Sequence, residues 1–222
     1  MAIKAAAGTP RELIPAGNYV AICYSMVQIG TIDNTYKGVT KKTPKIRLGW
    51  ELCDELKVFK EGEVAKPLVI EKEYSLYMTD KSNLRKDLES WRGATWTDKE
   101  AEDFDITKLV GAPCMLNIIH HTADSGKVYE KISGITKLPK SMTAPKQFNP
   151  KRVLEFDNWN QEVFDKLPDF ITDQIKTSLE YQAMNQPALV DANGKPLDVA
   201  DPVSGLPFSI NDDDEDNSEP PF

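Results

Sequence analysis

A mainly β fold with a few helices is what the sequence predicts, and three observations carry that expectation. Apolar and polar residues alternate over several stretches, as in residues 45–52, where Ile46, Leu48, Trp50 and Leu52 share one parity. A period of two turns one face of a strand to a core and the other to water. In the middle of the chain the period changes, and Leu84, Leu88 and Trp91 recur at helical spacing. From about residue 182 onward the chain turns rich in Pro, Asp and Gly, a composition that buries too little apolar surface to offset the entropy of ordering.

Taken in order, residues 1–16 form a loose N-terminal arm with Pro10 and Pro15. Strand one is expected over 18–29, opened by Ala16-Gly17, with Val20, Ile22, Tyr24 and Met26 on one face and Gly30 as its end. Residues 31–44 lack apolar periodicity and are expected to be a loop. Strand two spans 45–52, with Trp50 facing inward by parity. A charged connection, 54–67, leads to strand three over 68–78, where Ile70, Tyr74, Leu76 and Met78 lie on one face and Glu71, Glu73, Ser75 and Tyr77 on the other. Lys72 breaks the apolar face, so the parity does not say which side is inward. A helix over 80–91 takes Asp80 or Ser82 as N-cap and Gly93 as its stop. A second short helix, 97–104, has Thr97 and Glu100 at capping-box spacing. Strand four covers 112–121 and a turn covers 122–126. Strand five covers 127–138, with a bulge expected near Gly134, where its apolar residues change face.

The resulting order is strand, strand, strand, helix, strand, strand. It suits a five-stranded OB-fold barrel with the helix between strands three and four; a sandwich would want about seven strands and no central helix, and the runner-up is a general α+β sheet with the helices on one face. A linker, 139–158, precedes helices over 159–166 and 168–181. Phe164, Phe170, Ile171, Ile175 and Leu179 give these an apolar face for the barrel, a second copy or a partner. Four regions follow: an arm (1–16), a barrel domain (17–140), linker and C-terminal helices (141–182) and a disordered acidic tail (183–222).

The formal net charge is −8, which argues against nucleic acid until it is divided. Residues 1–152 hold 24 Lys and Arg against 19 Asp and Glu, a net of +5, and residues 153–222 hold 3 against 16, a net of −13. A basic body with an acidic tether fits a nucleic-acid binder that recruits partners. No Gly-rich phosphate loop is present, and the only histidines, His120 and His121, are adjacent on an expected strand and point to opposite faces. No enzyme activity, cofactor or metal site is expected. Cys23, Cys53 and Cys114 are far apart in apolar runs, as buried thiols of a reducing cytoplasm would be. No apolar run approaches the ~20 residues of a membrane helix.

The most basic stretch is Lys37, Lys41, Lys42, Lys45 and Arg47, within eleven acid-free residues that follow Tyr36. Lysines on phosphates and a ring on a base are what a single-strand binder uses. In an OB-fold, strands lie over the second and third strands, between the loops joining strands one to two and four to five. The expected site therefore joins Tyr36, Lys37, Lys41, Lys42, Lys45 and Arg47 to Tyr77, Lys127 and Tyr129.

The chain ends in Asp212, Asp213, Asp214, Glu215 and Asp216, a polar spacer, then Pro220, Pro221 and Phe222. Solubility alone does not call for a ring there. This end resembles the tails of bacterial and phage single-stranded DNA-binding proteins, although Pro220 stands where an aliphatic residue is usual and Asn217-Ser218-Glu219 separates the acids from the tip. Residues 14–19 (IPAGNY) and 88–93 (LESWRG) also resemble phage-encoded proteins of that class. The resemblance implies sequence-independent coating of single strands in replication, recombination or repair in the host cytoplasm, with Asp212–Asp216, Pro220, Pro221 and Phe222 docking replication proteins. It also allows the acids to screen the basic stretch when no DNA is bound. Two other classes stand beside it: a replisome or virion adaptor without DNA binding, and an acidic DNA mimic.

Overall fold

The computed structural model describes residues 12–185. The acidic tail and the first eleven residues lie outside them. Within that span a mixed sheet, antiparallel but for one short strand, is built from β1 (Gly17–Tyr36), β2 (Val39–Lys57), β3 (Lys66–Ser75), β4 (Pro113–Thr122), β5 (Val128–Thr136) and a short β6 (Arg152–Leu154). The helices are α1 (Asn83–Arg92), α2 (Asp98–Glu102), α3 (Gln161–Asp165), α4 (Asp169–Lys176) and α5 (Leu179–Asn185). The strand order is β3-β2-β1-β4-β5, with β6 beside β1. No pairing joins β3 to β5 among the described residues, so the sheet stays open where a closed barrel was expected. Helix α1 packs against both β3 and β5.

The expected loop at 31–44 is in fact strand. Thr31 pairs with Pro44, Asp33 with Lys42 and Tyr36 with Val39, closing on the two residues Lys37-Gly38. Both have positive φ, 48° and 79°, the twist that a two-residue hairpin turn needs. The missed signal is the density of β-branched residues on either side of that turn: Thr31, Ile32, Thr35, Val39, Thr40 and Thr43.

Strand β1 serves two cores, which corrects the single inward face expected for it. Register shifts at Cys23/Ser25 and Gln28/Gly30 re-aim the side chains. Ala21, Cys23 and Met26 join the main core with Leu48, Trp50, Leu52, Leu84, Leu88, Trp91, Leu116 and Ile118. Val27, Ile29 and Ile32 face a second core made with Leu154, Phe164, Leu167, Ile171 and Ile175. The C-terminal helices thus cover the other side of the sheet. The expected linker contains β6, whose parallel pairing with Ser25–Val27 delivers the chain to that side.

Other local expectations match in part. Trp50 is fully buried, its ring 6.0 Å from that of Trp91. Ser82 caps α1, and Gly93 ends it at φ 76°. Thr97 and Glu100 form the capping box of α2. The bulge near Gly134 leaves Ser133 unpaired between Asn117↔Gly134 and Ile118↔Ile132. Lys72 is accommodated by Asp87 of α1 at 2.9 Å and by the Tyr74 ring, 4.9 Å from its ammonium. The expected helix over 168–181 breaks at Ser178 into α4 and α5, and α5 runs to Asn185, past the expected start of the tail. The end of the N-terminal arm is tied down: Ile14 is buried and its carbonyl lies 2.8 Å from His120 Nε2.

Candidate nucleic-acid interface

Strand β3 pairs with β2 from Lys45↔Ser75 onward, and the Leu76 N–H just past it donates to the Pro44 carbonyl at 2.7 Å, the last tie to the β3 side. Residues 31–44 therefore project as a two-stranded arm. A lone two-stranded ribbon is marginal in water, so its base must be held. Thr31, Ile32 and Thr43 are buried there. The Thr31 N–H donates to Glu180 Oε2 at 2.6 Å, and its hydroxyl donates to Glu180 Oε1 at 2.7 Å. Further out, Lys42 pairs with Asp33 at 2.9 Å, Thr35 and Thr40 share a hydrogen bond of 2.7 Å, and Lys41 stands opposite Asn34. Lys37, Val39 and Lys42 are exposed. The arm holds three lysines and one acid. The Tyr36 backbone pairs with Val39 at the tip; its side chain falls outside the described part.

Lys45 and Arg47 do not belong to this arm. They lie on the sheet face away from the main core, only 16% and 15% exposed, in a network with β3 and the C-terminal segment. Lys45 reaches Glu73 at 2.8 Å. Arg47 reaches Glu71 at 2.9 Å and Glu73 at 3.4 Å. Arg152 binds Glu71 at 2.6 Å and the Ser25 hydroxyl at 2.7 Å. Helix α4 roofs this network: Gln174 donates to Glu73, and the Phe170 ring sits 5.2 Å from the Arg47 guanidinium. The sheet face expected to carry a nucleic-acid strand is thus covered in part. The covering segment, 153–185, has seven acids and two lysines, and that charge repels phosphate.

The remaining expected site residues stand elsewhere. Tyr77 follows β3 and is partly exposed. Tyr129 is buried, 8% exposed, edge-on to His121 at 5.3 Å, so it offers no open face to a base. Lys127 is exposed in the β4–β5 turn. Strand β4 pairs with β1 from Ile22 back to Gly17 and then runs on to Thr122. Lys127 and Tyr129 therefore lie by the opposite end of β1 from Lys41 and Lys42. Asp212–Asp216, Pro220, Pro221 and Phe222 lie outside the described residues.

Sequence reasoning passed over three features. The connection 54–67 is a finger that exposes Leu56, Val58, Phe59 (57% exposed) and Val64 (75%). Phe59 is an open ring near Lys57, Lys60 and Lys66 in sequence; an aromatic set among charges was the available signal. The second is Glu51, fully buried, whose carboxylate accepts from the Phe148 and Asn149 backbone N–H groups at 2.7 Å each and from Asn149 Nδ2 at 2.8 Å. It staples the linker to β2. The third is Glu180.

Burial pushes the Cys23 thiol up to about 12 and the Cys53 thiol to about 11, and raises Cys114 as well. Among the described residues no group of three His, Cys, Asp or Glu side chains could hold a metal ion, and no helix is long and apolar enough to cross a membrane. Set against family models, curated proteins and solved structures, the chain matches none of them.

Proposed function

We propose that the protein binds single-stranded nucleic acid, independent of sequence, through the arm formed by residues 31–44. The observation that carries this reading is the arm itself. Lys37, Lys41 and Lys42 stand on a projecting ribbon with Asp33 as the only acid. A phosphate backbone lying along such a ribbon gains three cationic contacts and releases counterions. The body is then an OB-type sheet left open on one side. Support comes from the order β3-β2-β1-β4-β5, with α1 between β3 and β4 in sequence and packed against β3 and β5 in space. The acidic end, Asp212 to Phe222, takes the role of a partner-recruiting tail in replication or recombination, and the protein works in the cytoplasm.

The binding path differs from a groove over the second and third strands, because α4 and its acids lie there. It runs along the arm; Tyr129 is buried, and Phe59 of the finger lies past the far end of β2, so neither ring belongs to that path. Mobility shifts of oligo-dT, oligo-dA and duplex across a salt series test the reading. Binding that prefers both single strands over duplex and weakens steeply with salt supports it; no shift with any of them ends it. A second reading, a protein-interaction adaptor, is favoured by the exposed apolar residues of the finger.

A further inference from the structure

Among the described residues the arm has no third strand, so something other than the sheet must set its direction. Three observations converge on its base. Gly30, at the register shift where the arm leaves the body, has φ +90°. A Cβ there would fall 2.7 Å from both Glu180 Oε2 and Ser178 Cβ, so the α4–α5 joint is wedged against the bend. Ser178 is fully buried and locked: its hydroxyl donates to the Ile175 carbonyl at 2.7 Å and accepts from the Tyr181 N–H at 3.2 Å. One residue past the bend, Glu180 holds both donors of Thr31, which is itself buried.

We propose that Glu180 is a positioning residue for the arm: its two-point grip on Thr31 fixes the direction of residues 31–44 and so sets how tightly the arm's lysines hold a single strand. The proposal rests on the nucleic-acid reading for its affinity half and on geometry alone for its positioning half. Its consequence runs against simple electrostatics. A carboxylate near a basic arm repels phosphate, so on charge alone removing it should tighten binding. If Glu180 positions the arm, removing it loosens binding, because an arm that wanders must be ordered again when it docks.

Glu180→Ala and Glu180→Gln separate the two. Gln is neutral, yet its carbonyl oxygen can accept from the Thr31 N–H and its amide can donate to the Thr31 hydroxyl, so it keeps the grip and removes the charge. Two readouts are taken on the full chain: oligo-dT affinity, and amide exchange of residues 33–43 relative to residues 20–27 of the body. The expected result for Glu180→Ala is about tenfold faster exchange in the arm, the loss of charge-assisted hydrogen bonds, with the body unchanged and affinity reduced several-fold. Glu180→Gln should stay near wild type in both. Unchanged arm exchange in Glu180→Ala, or tighter binding in both variants, overturns the proposal. Wild-type protein that binds no oligonucleotide removes the nucleic-acid reading and the affinity half with it, while the exchange rates still decide whether Glu180 holds the arm.

Discussion

Replacing Lys37, Lys41 and Lys42 together by Gln removes the arm's three positive charges, including the Lys42 partner of Asp33. For single strands, log K falls with log salt at a slope of roughly −0.7 per phosphate neutralised. Three lysines therefore account for a slope of at most about −2, since Lys42 must first give up Asp33. Raising salt fourfold, as from about 50 to 200 mM, then costs an arm-bound complex at most about 20-fold in affinity. The triple variant should lose that part of the slope. Fluorescence anisotropy of labelled oligo-dT across salt reads it directly. Lys45→Gln with Arg47→Gln is the contrast, because those cations are already held by Glu71 and Glu73. That pair of changes should lower stability by unpairing half-buried carboxylates and leave most of the slope. The reasoning fails if the triple variant keeps its full slope, or if the Lys45/Arg47 pair alone abolishes it.

Other expected outcomes follow from the same contacts. Glu51→Ala leaves the Phe148 and Asn149 amides without their acceptor, so urea denaturation should show a loss of about 1–3 kcal/mol, and a loss below about half a kcal/mol would count against the staple. Gly30→Ala forces a Cβ into Ser178 at positive φ, and should cost about 1–3 kcal/mol in the same measurement. The Glu89 carboxyl is held below its ordinary 4.5 by the Trp96 backbone N–H, then by the Arg85 guanidinium. A depressed carboxylate contributes stability that is present above its unfolded value and is lost as pH falls through the folded one. Thermal melts should therefore decline below about pH 4.5, and Glu89→Gln should flatten that decline.

Much of the fold was legible where periodicity and caps speak locally. Ser82, Gly93 and Thr97 with Glu100 mark helix ends by their own hydrogen bonds, and the alternation around Trp50 announces a half-buried strand. The arm was not legible because a ribbon with Thr on both strands, Asp33 and Asn34 on one and Lys41 and Lys42 on the other has no apolar period, and Lys37-Gly38 is a weaker turn signal than Asn-Gly. The two faces of β1 were hidden by bulges, which shift parity without a residue type that marks them. In the site, the charge cluster was visible, but its division was not. Lys41 and Lys42 differ from Lys45 and Arg47 only in lying beyond the point where β3 begins to pair, and Glu71 and Glu73 are distant in sequence. Glu180 lies 149 residues from Thr31, and no local pattern joins them.

Hydrogen exchange of the full chain with and without an oligo-dT tests most directly whether the arm is where a strand lies. The account expects protection centred on residues 33–43, weakening as salt rises. Protection confined to the finger at 56–65, to α4, or to no part of the chain while the oligonucleotide is bound would contradict it.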